Sequence, residues 1–303
     1  MSTTALCDVA VLTDDRFEHL ASPDWYQSQL LLEEQLLVSA LGAHGLVAKR
    51  ISWSNPGIDW SQVRSAVFRS TWDYFERFAH FSSWVAQAER QTRLINNGAL
   101  IRWNWDKRYL ADLAAAGIAI PPTRFLAAGT RTTLAAELSA SGWRQAILKP
   151  AVSGGARNTF LVDAGDAAAH QGRFAALIGE QAMLLQEFLP SIMSAGEVSV
   201  MVIGGRCTHA VRKRAKDGDF RVQDDHGGTV SPIALEQDMV AYAESVIGAC
   251  PQPPVYARVD ALTTADRGYA LMELELIEPE LFLRFHPPAA DALALAIAGA
   301  LGG

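Results

Sequence analysis

An alternation of charged and apolar residues near the end of the chain constrains its fold more than any other feature. Arg258 and Asp260 alternate with apolar residues in one stretch, and Glu273 and Glu275 do so in another. Successive side chains of a β-strand point to opposite faces, so each stretch predicts a strand with a charged face and an apolar face. If the two strands pair, three carboxylates and one guanidinium meet on one face.

This predicted cluster has two interpretations that the spacing leaves open. Carboxylates are costly to bury without partners, and oxygen ligands of this kind suit Mg²⁺, which keeps some of its waters and bridges to phosphates. The cluster then predicts a site for a metal ion and a phosphate group. Alternatively, the charged faces are solvated and the acids form ordinary surface ion pairs.

The chain length and the order of the expected elements indicate an α/β protein of several parts. With 303 residues, the chain is too long for one minimal domain. Its first part alternates strands and helices, which predicts an open, mostly parallel sheet. No GxGxxG turn follows the first strand, and this disfavours a nicotinamide-dependent dehydrogenase. We expect strands at 7–13, 47–53 and 66–70, and helices at 24–44 and 75–90.

Two further parts combine antiparallel strands with helices. Asn104 is expected to cap a helix that ends at Ala116, and Gly204 and Gly205 are expected to form the turn of a hairpin. The predicted parts of the chain are 1–95, 96–189 and 190–303. In the middle part we expect strands at 123–126, 146–149 and 159–162 and helices at 132–141 and 166–180; in the last part, strands at 198–203, 207–214, 255–262 and 269–276 and helices at 233–247 and 289–301.

The composition disfavours several kinds of partner. A net charge of -7 and an isoelectric point near 5.5 argue against nucleic acid and against anionic membranes. No apolar run approaches the ~20 residues that span a bilayer, and the first residues carry no basic segment typical of a secretory signal. Cys7, Cys207 and Cys250 are far apart and odd in number, which indicates unpaired thiols in a reducing cytoplasm.

Two lysines are candidates for binding phosphate. Lys149 ends a buried strand, and the residues Ser153, Gly154 and Gly155 follow, so a cation and free backbone N–H groups are offered to an anion. This is not a Walker A loop, since the lysine precedes the glycines. Lys107 lies in the first turn of its expected helix, where the helix dipole also favours an anion. The alternative in both cases is an ordinary solvated lysine.

Glu197 is a further candidate, because it is an acid at the start of an otherwise apolar strand. Its carboxylate could hold ribose hydroxyls through charge-assisted hydrogen bonds. Equally, it could be an exposed strand terminus.

The order of these segments, from about Asn104 to Leu283, resembles the ATP-grasp superfamily, and within it the D-alanine–D-alanine ligase and glutathione synthetase branches. Residues 273–279 and 196–199 are also similar to the cyclo-ligases of small amino-acid antibiotics such as cycloserine. The resemblance implies an α/β fold in which an N-terminal open α/β domain precedes two α+β subdomains that clamp ATP. It implies a ligase that joins a small carboxylic acid or amino acid to an amine through an acyl phosphate, releasing ADP and phosphate.

The resemblance also implies roles for individual residues. Arg258 matches the arginine that stabilises the acyl-transfer intermediate. The last metal ligand of the family is usually Asn and here is Glu275. The resemblance therefore leaves open whether one or two Mg²⁺ ions bind, whether Mn²⁺ can replace them, and whether Glu278 is a substitute ligand. The implied contacts are Lys107, Lys149 and Lys213 (or its competitor Arg212) at the ATP phosphates; Ser153, Gly154, Gly155 and Ala156 as the covering loop; Gln186, Glu187, Phe188 and Leu189 at adenine; Glu197 at the ribose; and Asp260, Glu273 and Glu275 at the metal.

The substrate and two rival functions stay open. Arg69 and Arg221 could each pair with a substrate carboxylate, which makes Arg221 a second catalytic candidate, or each could form a structural ion pair. His226 is either an active-site loop residue or exposed, and the aromatic residues within 103–109 are expected to pack a helix on a sheet. The rivals are an ATP-grasp phosphotransferase and a non-catalytic ATP-binding protein. A homodimer is one option for the assembly.

Overall fold

The computed structural model describes residues 5–216, 218–222, 227–265 and 268–302. Its strands form three sheets, which follow one another along the chain. Within these residues, no helix has the length and apolar character needed to cross a membrane.

The first sheet is parallel, as the alternation of strands and helices predicts. Its strands are β1 (Cys7–Thr13), β2 (Ala48–Ser52), β3 (Val63–Ser70) and β4 (Arg93–Ile95), in the order β2-β1-β3-β4, and its helices are α1 (Asp15–Glu18), α2 (Trp25–Ala43) and α3 (Phe78–Ala88). A capping box starts α2: Asp24 accepts a hydrogen bond from the Gln27 N–H (2.8 Å), and the Asp24 N–H donates to the Gln27 side chain (3.1 Å). The sequence does not predict β4, because three residues are too few to show a period.

Two short helices replace the single helix expected from Asn104 to Ala116. They are α4 (Gly98–Asn104) and α5 (Tyr109–Ala115). Asn97 caps α4 by accepting two N–H groups of its first turn (3.0 and 3.1 Å). Asn104 instead ends α4, and its side chain donates to the Leu274 carbonyl (2.7 Å) and accepts from the Leu276 N–H (2.9 Å). The prediction was wrong because an asparagine that binds a distant strand has the same local sequence signature as a cap.

The second sheet is antiparallel and carries two helices. It consists of β5 (Thr123–Leu126), β6 (Gln145–Pro150), β7 (Phe160–Asp163) and β8 (Met183–Glu187) in the order β5-β8-β6-β7, with α6 (Leu134–Ser141) and α7 (Ala167–Glu180). Leu138 on α6, Leu148 on β6 and Phe174 on α7 belong to one buried cluster. These elements agree with the sequence prediction for 123–180.

The third part of the chain forms a five-stranded antiparallel sheet. Its elements are α8 (Ser191–Ala195), β9 (Glu197–Ile203), β10 (Arg206–Arg214), β11 (Thr229–Ile233), α9 (Gln237–Gly248), β12 (Tyr256–Thr263), β13 (Tyr269–Glu275) and α10 (Pro288–Gly302), with the strand order β11-β10-β9-β12-β13. The hairpin is confirmed, and Gly204 and Gly205 have φ of 57° and 77°. The expected helix from Ile233 begins only at Gln237, because the preceding residues join the sheet edge as β11, a position that tolerates Pro232.

Long-range contacts join the three parts. The Tyr109 hydroxyl on α5 accepts a hydrogen bond from the Leu274 N–H on β13 (2.8 Å). Thus α4 and α5 pack on the third sheet, although the sequence groups them with residues 123–189. The last helix returns to the first part, where Leu293 on α10 shares a buried cluster with Leu37 on α2. The sheets therefore surround a common cleft.

Candidate active site

A cavity of about 380 Å³ lies between the three sheets. Its wall includes side chains from helices and a loop beside the first sheet, the loop after β6, the end of β8, and the faces of β9, β10, β12 and β13. Most residues singled out from the sequence lie here, although they are spread over 170 positions of the chain. They are Lys107, Lys149, Ser153, Gly154, Gly155, Ala156, Glu187, Phe188, Leu189, Glu197, Lys213, Arg221, Arg258, Glu273, Glu275 and Glu278.

The two acid-bearing strands pair as the sequence predicts. Arg258 on β12 is opposite Glu275 on β13, and Asp260 is opposite Glu273. The Arg258 guanidinium donates to both oxygens of Asp260, with Nε–Oδ1 at 2.9 Å and Nη2–Oδ2 at 2.8 Å, and it also pairs with Glu275. The alternative of a solvated face is excluded for Arg258 and Asp260, which expose only 8% and 2% of their surfaces.

Asp260 is held below the cavity wall by three donors rather than lining the cavity itself. Besides Arg258, its carboxylate accepts from the Ser199 hydroxyl (2.5 Å) and pairs with Lys213 Nζ (3.2 Å). Burial opposes ionisation of this carboxyl, but Arg258 and Lys213 outweigh it and hold the pKa of Asp260 below its usual range. Asp260 is therefore an anion at neutral pH.

Lys213 lies between two carboxylates. Its Nζ is 2.5 Å from Glu197 and 3.2 Å from Asp260. Burial alone would lower the pKa of Lys213, but these two acids hold it above the usual lysine value. Arg212, the competing candidate, is the neighbour of Lys213 on β10, so its side chain points to the other face of the sheet.

Lys107 and Lys149 approach Glu273 from the second part of the site. Lys107 Nζ is 3.0 Å from Glu273 and also donates to the Ser153 carbonyl. Lys107 lies in the turn between α4 and α5, not in the first turn of a longer helix, and its N–H donates to Ala151 (2.8 Å). Burial lowers the pKa of Lys149 to about 8, although nearby Glu273 opposes the shift.

The glycine-rich loop after β6 lies against the first part of the chain. A Cβ on Gly154 would be 2.6 Å from the Phe75 ring, so only glycine fits without a shift. The Ser153 hydroxyl donates to the Arg157 carbonyl (2.9 Å), which keeps the loop tightly folded. The backbone around the glycines is therefore close to both Lys107 and Lys149.

Gln186 is the adenine candidate whose side chain does not reach the cavity. It is fully buried on β8, and its Nε2 donates to the Thr123 hydroxyl on β5 (3.0 Å). Neighbouring residues of a strand alternate in direction, so Glu187 faces the cavity and Gln186 does not. Any contact of Gln186 with adenine would therefore be made through its backbone, as the prediction for this stretch largely has it.

Nearby cations compensate only part of the negative charge of the acids at the end of β13. Burial raises the pKa of Glu275 to about 7, although Arg258 opposes the shift. Burial and the neighbouring Glu275 raise the pKa of Glu278 to about 8. Among the residues that the structure describes, no group of three acidic, histidine or cysteine side chains is arranged to hold a metal ion, since Glu273 and Glu275 are turned toward Lys107 and Arg258.

The two substrate arginines have different surroundings. Arg69 is buried and donates to Glu33 (2.7 Å) and to the Pro279 carbonyl (2.5 Å), so it is a structural ion-pair partner. Arg221 lines the cavity and pairs with Asp219 (2.7 Å). His226 lies outside the described residues. The aromatic side chains near α5 pack as expected, with the Trp103 and Tyr109 rings 5.3 Å apart.

One wall of the cavity is aromatic and comes from the first part of the chain. Phe17 and Tyr26 contact Trp72, with ring centroids 5.7 and 5.8 Å apart. Arg16 lies beside them and is held by Asp14 (2.7 Å). These residues are in a four-residue helix, the first turn of α2 and a loop, so no periodic pattern marks them as one surface.

Two family models match the sequence. Residues 113–279 match the RimK-like ATP-grasp domain. Residues 9–96 match the N-terminal domain of the D-cycloserine synthetase DcsG.

Similar proteins and structures cover most of the chain. The cycloserine biosynthesis protein DcsG of Streptomyces lavendulae is 32% identical over 287 residues, which are 86% of this chain and 91% of that protein. The crystal structure of D-cycloserine synthetase DcsG superposes with a TM-score of 0.84 at 28% identity, over 97% of this chain and 99% of that one. A D-alanine–D-alanine ligase from Bacillus anthracis shares the fold, with a TM-score of 0.66 at 14% identity over 97% of each chain.

These matches agree with the cavity, in which lysines, a glycine-rich loop and paired acids converge from the same parts of the sequence. The resemblance inferred from the order of the motifs is thereby confirmed, as is the α/β fold. The chain belongs to the RimK-like ATP-grasp family and is an ATP-dependent ligase that forms carbon–nitrogen bonds.

Proposed function

We propose that this ligase activates the carboxyl group of a small amino-acid derivative as an acyl phosphate and closes it onto an amine. The observation that carries the proposal is Arg258, which is fixed between Asp260 and Glu275 and faces the same cavity as Lys107 and Lys149. A protein that only bound ATP would need cations for the phosphates but no guanidinium beside the reacting carbonyl. The arrangement therefore supports ligation over simple binding.

The cations in the second and third sheets account for ATP binding. Lys107, Lys149 and the loop 153–156 would bind the phosphates, because they offer charge and backbone N–H groups in a buried setting. Lys213 would add a further cation, and Glu197 would accept hydrogen bonds from the ribose. Residues 187–189 line the cavity at the end of β8 and would face the adenine.

The donor chemistry of the acids fits magnesium. Carboxylate oxygens are the ligands that Mg²⁺ prefers, and Glu273 and Glu275 project into the cavity with Asp260 directly beneath. We infer that Asp260, Glu273 and Glu275 would hold the metal, with Glu278 as a further carboxylate. The bound ion would supply positive charge against the ATP phosphates.

Arg258 would act in the second half of the reaction. Attack of an amine on an acyl phosphate places negative charge on the carbonyl oxygen, and a preorganised guanidinium in a buried site stabilises such charge. Its salt bridges to Asp260 and Glu275 fix its position beforehand. No protein nucleophile is required by this scheme.

The substrate is proposed to be a small amino-acid derivative whose own amine closes a ring. Support comes from the similarity to proteins named for cycloserine synthesis. The cavity wall formed by Phe17, Tyr26 and Trp72 offers apolar surface to a small molecule, and Arg16 beside it, which pairs with Asp14, would face the carboxylate. We also propose the reducing cytoplasm as the compartment, which agrees with the free Cys7, Cys207 and Cys250.

We further propose that the chain works as three parts, 1–95, 96–189 and 190–303, with the last two closing on ATP.

Release of phosphate and ADP from ATP and magnesium tests the proposal. A panel of amino acids and small carboxylic acids is offered, with hydroxylamine as a trap. Hydroxamate formed in step with phosphate supports acyl-phosphate chemistry. A phosphorylated product without free phosphate would establish a phosphotransferase instead. With the trap omitted, turnover of a single amino-acid derivative without a second amine supports ring closure.

A further inference from the structure

The backbone of the segment 277–283, which follows β13 along the cavity, is bound by side chains from several other elements. Glu278, Glu280 and Phe282 of this segment line the cavity. Five side chains from elsewhere bind consecutive carbonyl groups. Tyr256 Oη donates to Ile277 (3.0 Å), Trp72 Nε1 to Glu278 (3.1 Å), Arg69 Nη2 to Pro279 (2.5 Å) and Arg258 Nη1 to Glu280 (3.2 Å), and His209 Nε2 is 2.8 Å from the Leu281 carbonyl.

Glu33 on α2 binds two N–H groups of this segment. Its Oε1 accepts from the Leu281 N–H (2.8 Å), and its Oε2 accepts from the Leu283 N–H (3.2 Å). Arg69 Nη2 donates to the same Oε1 (2.7 Å). Glu33 exposes only 4% of its surface and is outside the catalytic cavity. Its hydrogen-bond partners are therefore this segment and Arg69.

Phe282 lies between the two N–H groups that Glu33 binds. Its backbone has φ 51° and ψ 37°, the left-handed region that side chains other than glycine rarely adopt. Such a conformation persists only where the surroundings fix it. The two oxygens of Glu33 bind the backbone N–H groups on either side of Phe282 and supply that constraint.

The left-handed backbone of Phe282 directs its aromatic ring toward Arg258. The Arg258 guanidinium carbon is 5.8 Å from the centroid of the Phe282 ring. Arg258 also donates to the carbonyl of Glu280, in the same segment. The position of Arg258 therefore depends on the path of the 277–283 backbone as well as on its two salt bridges.

We propose that Glu33 is a positioning residue of the ligase: it holds Phe282 in the left-handed conformation and thereby sets the 277–283 segment and Arg258 for the reaction. The catalytic part of this inference rests on the proposed function, whereas the clamp on the backbone does not. Glu33 touches no reacting group and acts only through the segment.

Its neighbour on α2 provides a matched control. Glu34 is equally buried, at 3% exposure, and pairs with Arg50 and Ser70. It carries the same kind of compensated charge but belongs to a network with Arg50 and β3. Glu33→Gln and Glu34→Gln thus remove one buried charge each, and only the first removes an acceptor from the Leu281 and Leu283 N–H groups.

Amide hydrogen exchange, read by mass spectrometry on peptides covering 277–286, tests the clamp without any substrate. We expect exchange to be faster in Glu33→Gln by at least about tenfold, and unchanged in Glu34→Gln. Glu33→Asp, with both acceptors on a shorter stem, should give an intermediate increase and replaces Glu33→Gln if that variant does not fold. If exchange increases equally in both glutamine variants, or increases in neither, the proposed clamp is refuted.

Steady-state kinetics test the catalytic part, with the substrate found by the hydroxylamine assay. Glu33→Gln should lower kcat by about 10- to 100-fold, the scale of an ångström-sized misplacement, with the KM for ATP unchanged. Phe282→Ala should cause a similar loss, and the double variant no more than either, because both act through one backbone. Fully additive losses would refute the mechanism. If even the native protein shows no turnover, the proposed function fails while the exchange result still decides the clamp.

Discussion

Arg258 connects two acids that the chain places on different strands. Asp260 precedes Glu275 by 15 residues, yet both accept from the same guanidinium because β12 and β13 pair in register. The lysines also form ion pairs with acids: Lys107 pairs with Glu273, and Lys213 pairs with Glu197 and Asp260. Lys107 and Lys213 are thus already paired with carboxylates.

Replacing Arg258 should separate ligation from ATP binding. In Arg258→Lys, a compact ammonium group replaces the planar guanidinium that pairs with both Asp260 and Glu275. The positive charge is kept, but it is no longer held in the same place. We expect hydroxamate formation to fall by about 100-fold, with the ATP dissociation constant changed less than about threefold when measured by calorimetry. A comparable loss of ATP affinity would assign Arg258 to nucleotide binding instead.

Glu273→Gln should abolish ATP turnover while the fold is kept. The substitution removes the charge that faces Lys107 and Lys149 and one proposed metal ligand. We expect ADP release to fall by at least about 100-fold, with circular dichroism unchanged. Glu244→Gln, on the exposed surface of α9, is the control and should turn over normally. Undiminished turnover in Glu273→Gln would remove this residue from the site.

The pH dependence of ATP affinity should report on Lys149. Because its pKa is lowered to about 8, the side chain loses charge as the pH rises from 7 to 9. The charged fraction then drops from about 0.9 to about 0.1, so the apparent affinity should weaken by about tenfold. Lys149→Arg, whose guanidinium stays charged, should make this dependence shallower in calorimetric titrations; the slope that remains reports Glu275 and Glu278, whose pKa values of about 7 and about 8 lie in the same range. A profile that is equally steep in both proteins would contradict the assignment.

At the scale of elements, the loop after β6 joins the second sheet to the first. Gly154 lies against the Phe75 ring, so Gly154→Ala should push the loop away from its phosphate-binding position. Overpacking of this kind typically costs about 1–3 kcal/mol, and we expect the KM for ATP to rise several-fold. Gly172→Ala on α7 has open space around it and should leave KM unchanged. A second substitution, Phe75→Ala, should restore the KM of Gly154→Ala.

The sequence predicts elements well where a period repeats and poorly where an element is short. α2, α7, β9, β10, β12 and β13 appear as expected, because each repeats its pattern over several residues. β4 has three residues, and β11 is an edge strand that contains Pro232. Asn104 shows a different limit, because its partners Leu274 and Leu276 are 170 or more positions away and cannot be inferred from neighbours.

The same limit explains what the sequence reveals of the site. The lysines, the glycine-rich loop and the acids are recognisable because each is a local motif, and their order matches a family. Phe17 and Tyr26 are not, since they meet Trp72 only through the packing of the first part of the chain. Gln186 shows that a motif position does not fix the direction of a side chain.

At the scale of the whole molecule, α10 packs against α2 and makes the first and last parts interdependent. Leu293 is fully buried between them, so Leu293→Ala should lower the free energy of unfolding by about 2–5 kcal/mol. Leu295→Ala, on the same helix but 52% exposed, should cost less than about 1 kcal/mol. Urea unfolding followed by circular dichroism measures both. Similar losses in the two variants would contradict the packing argument.

The bonds from Glu33 to Leu281 and Leu283 also have a consequence for synthesis on the ribosome. They join residues 248 and 250 positions apart, so a nascent chain emerges with its first sheet long before the partners of Glu33 exist. The first sheet can form early. On α2, however, Glu33 and an apolar face stay exposed until residues 281–302 leave the exit tunnel. The packing of residues 281–302 on α2 therefore both buries this apolar face and holds Glu33 against the segment that lines the cavity.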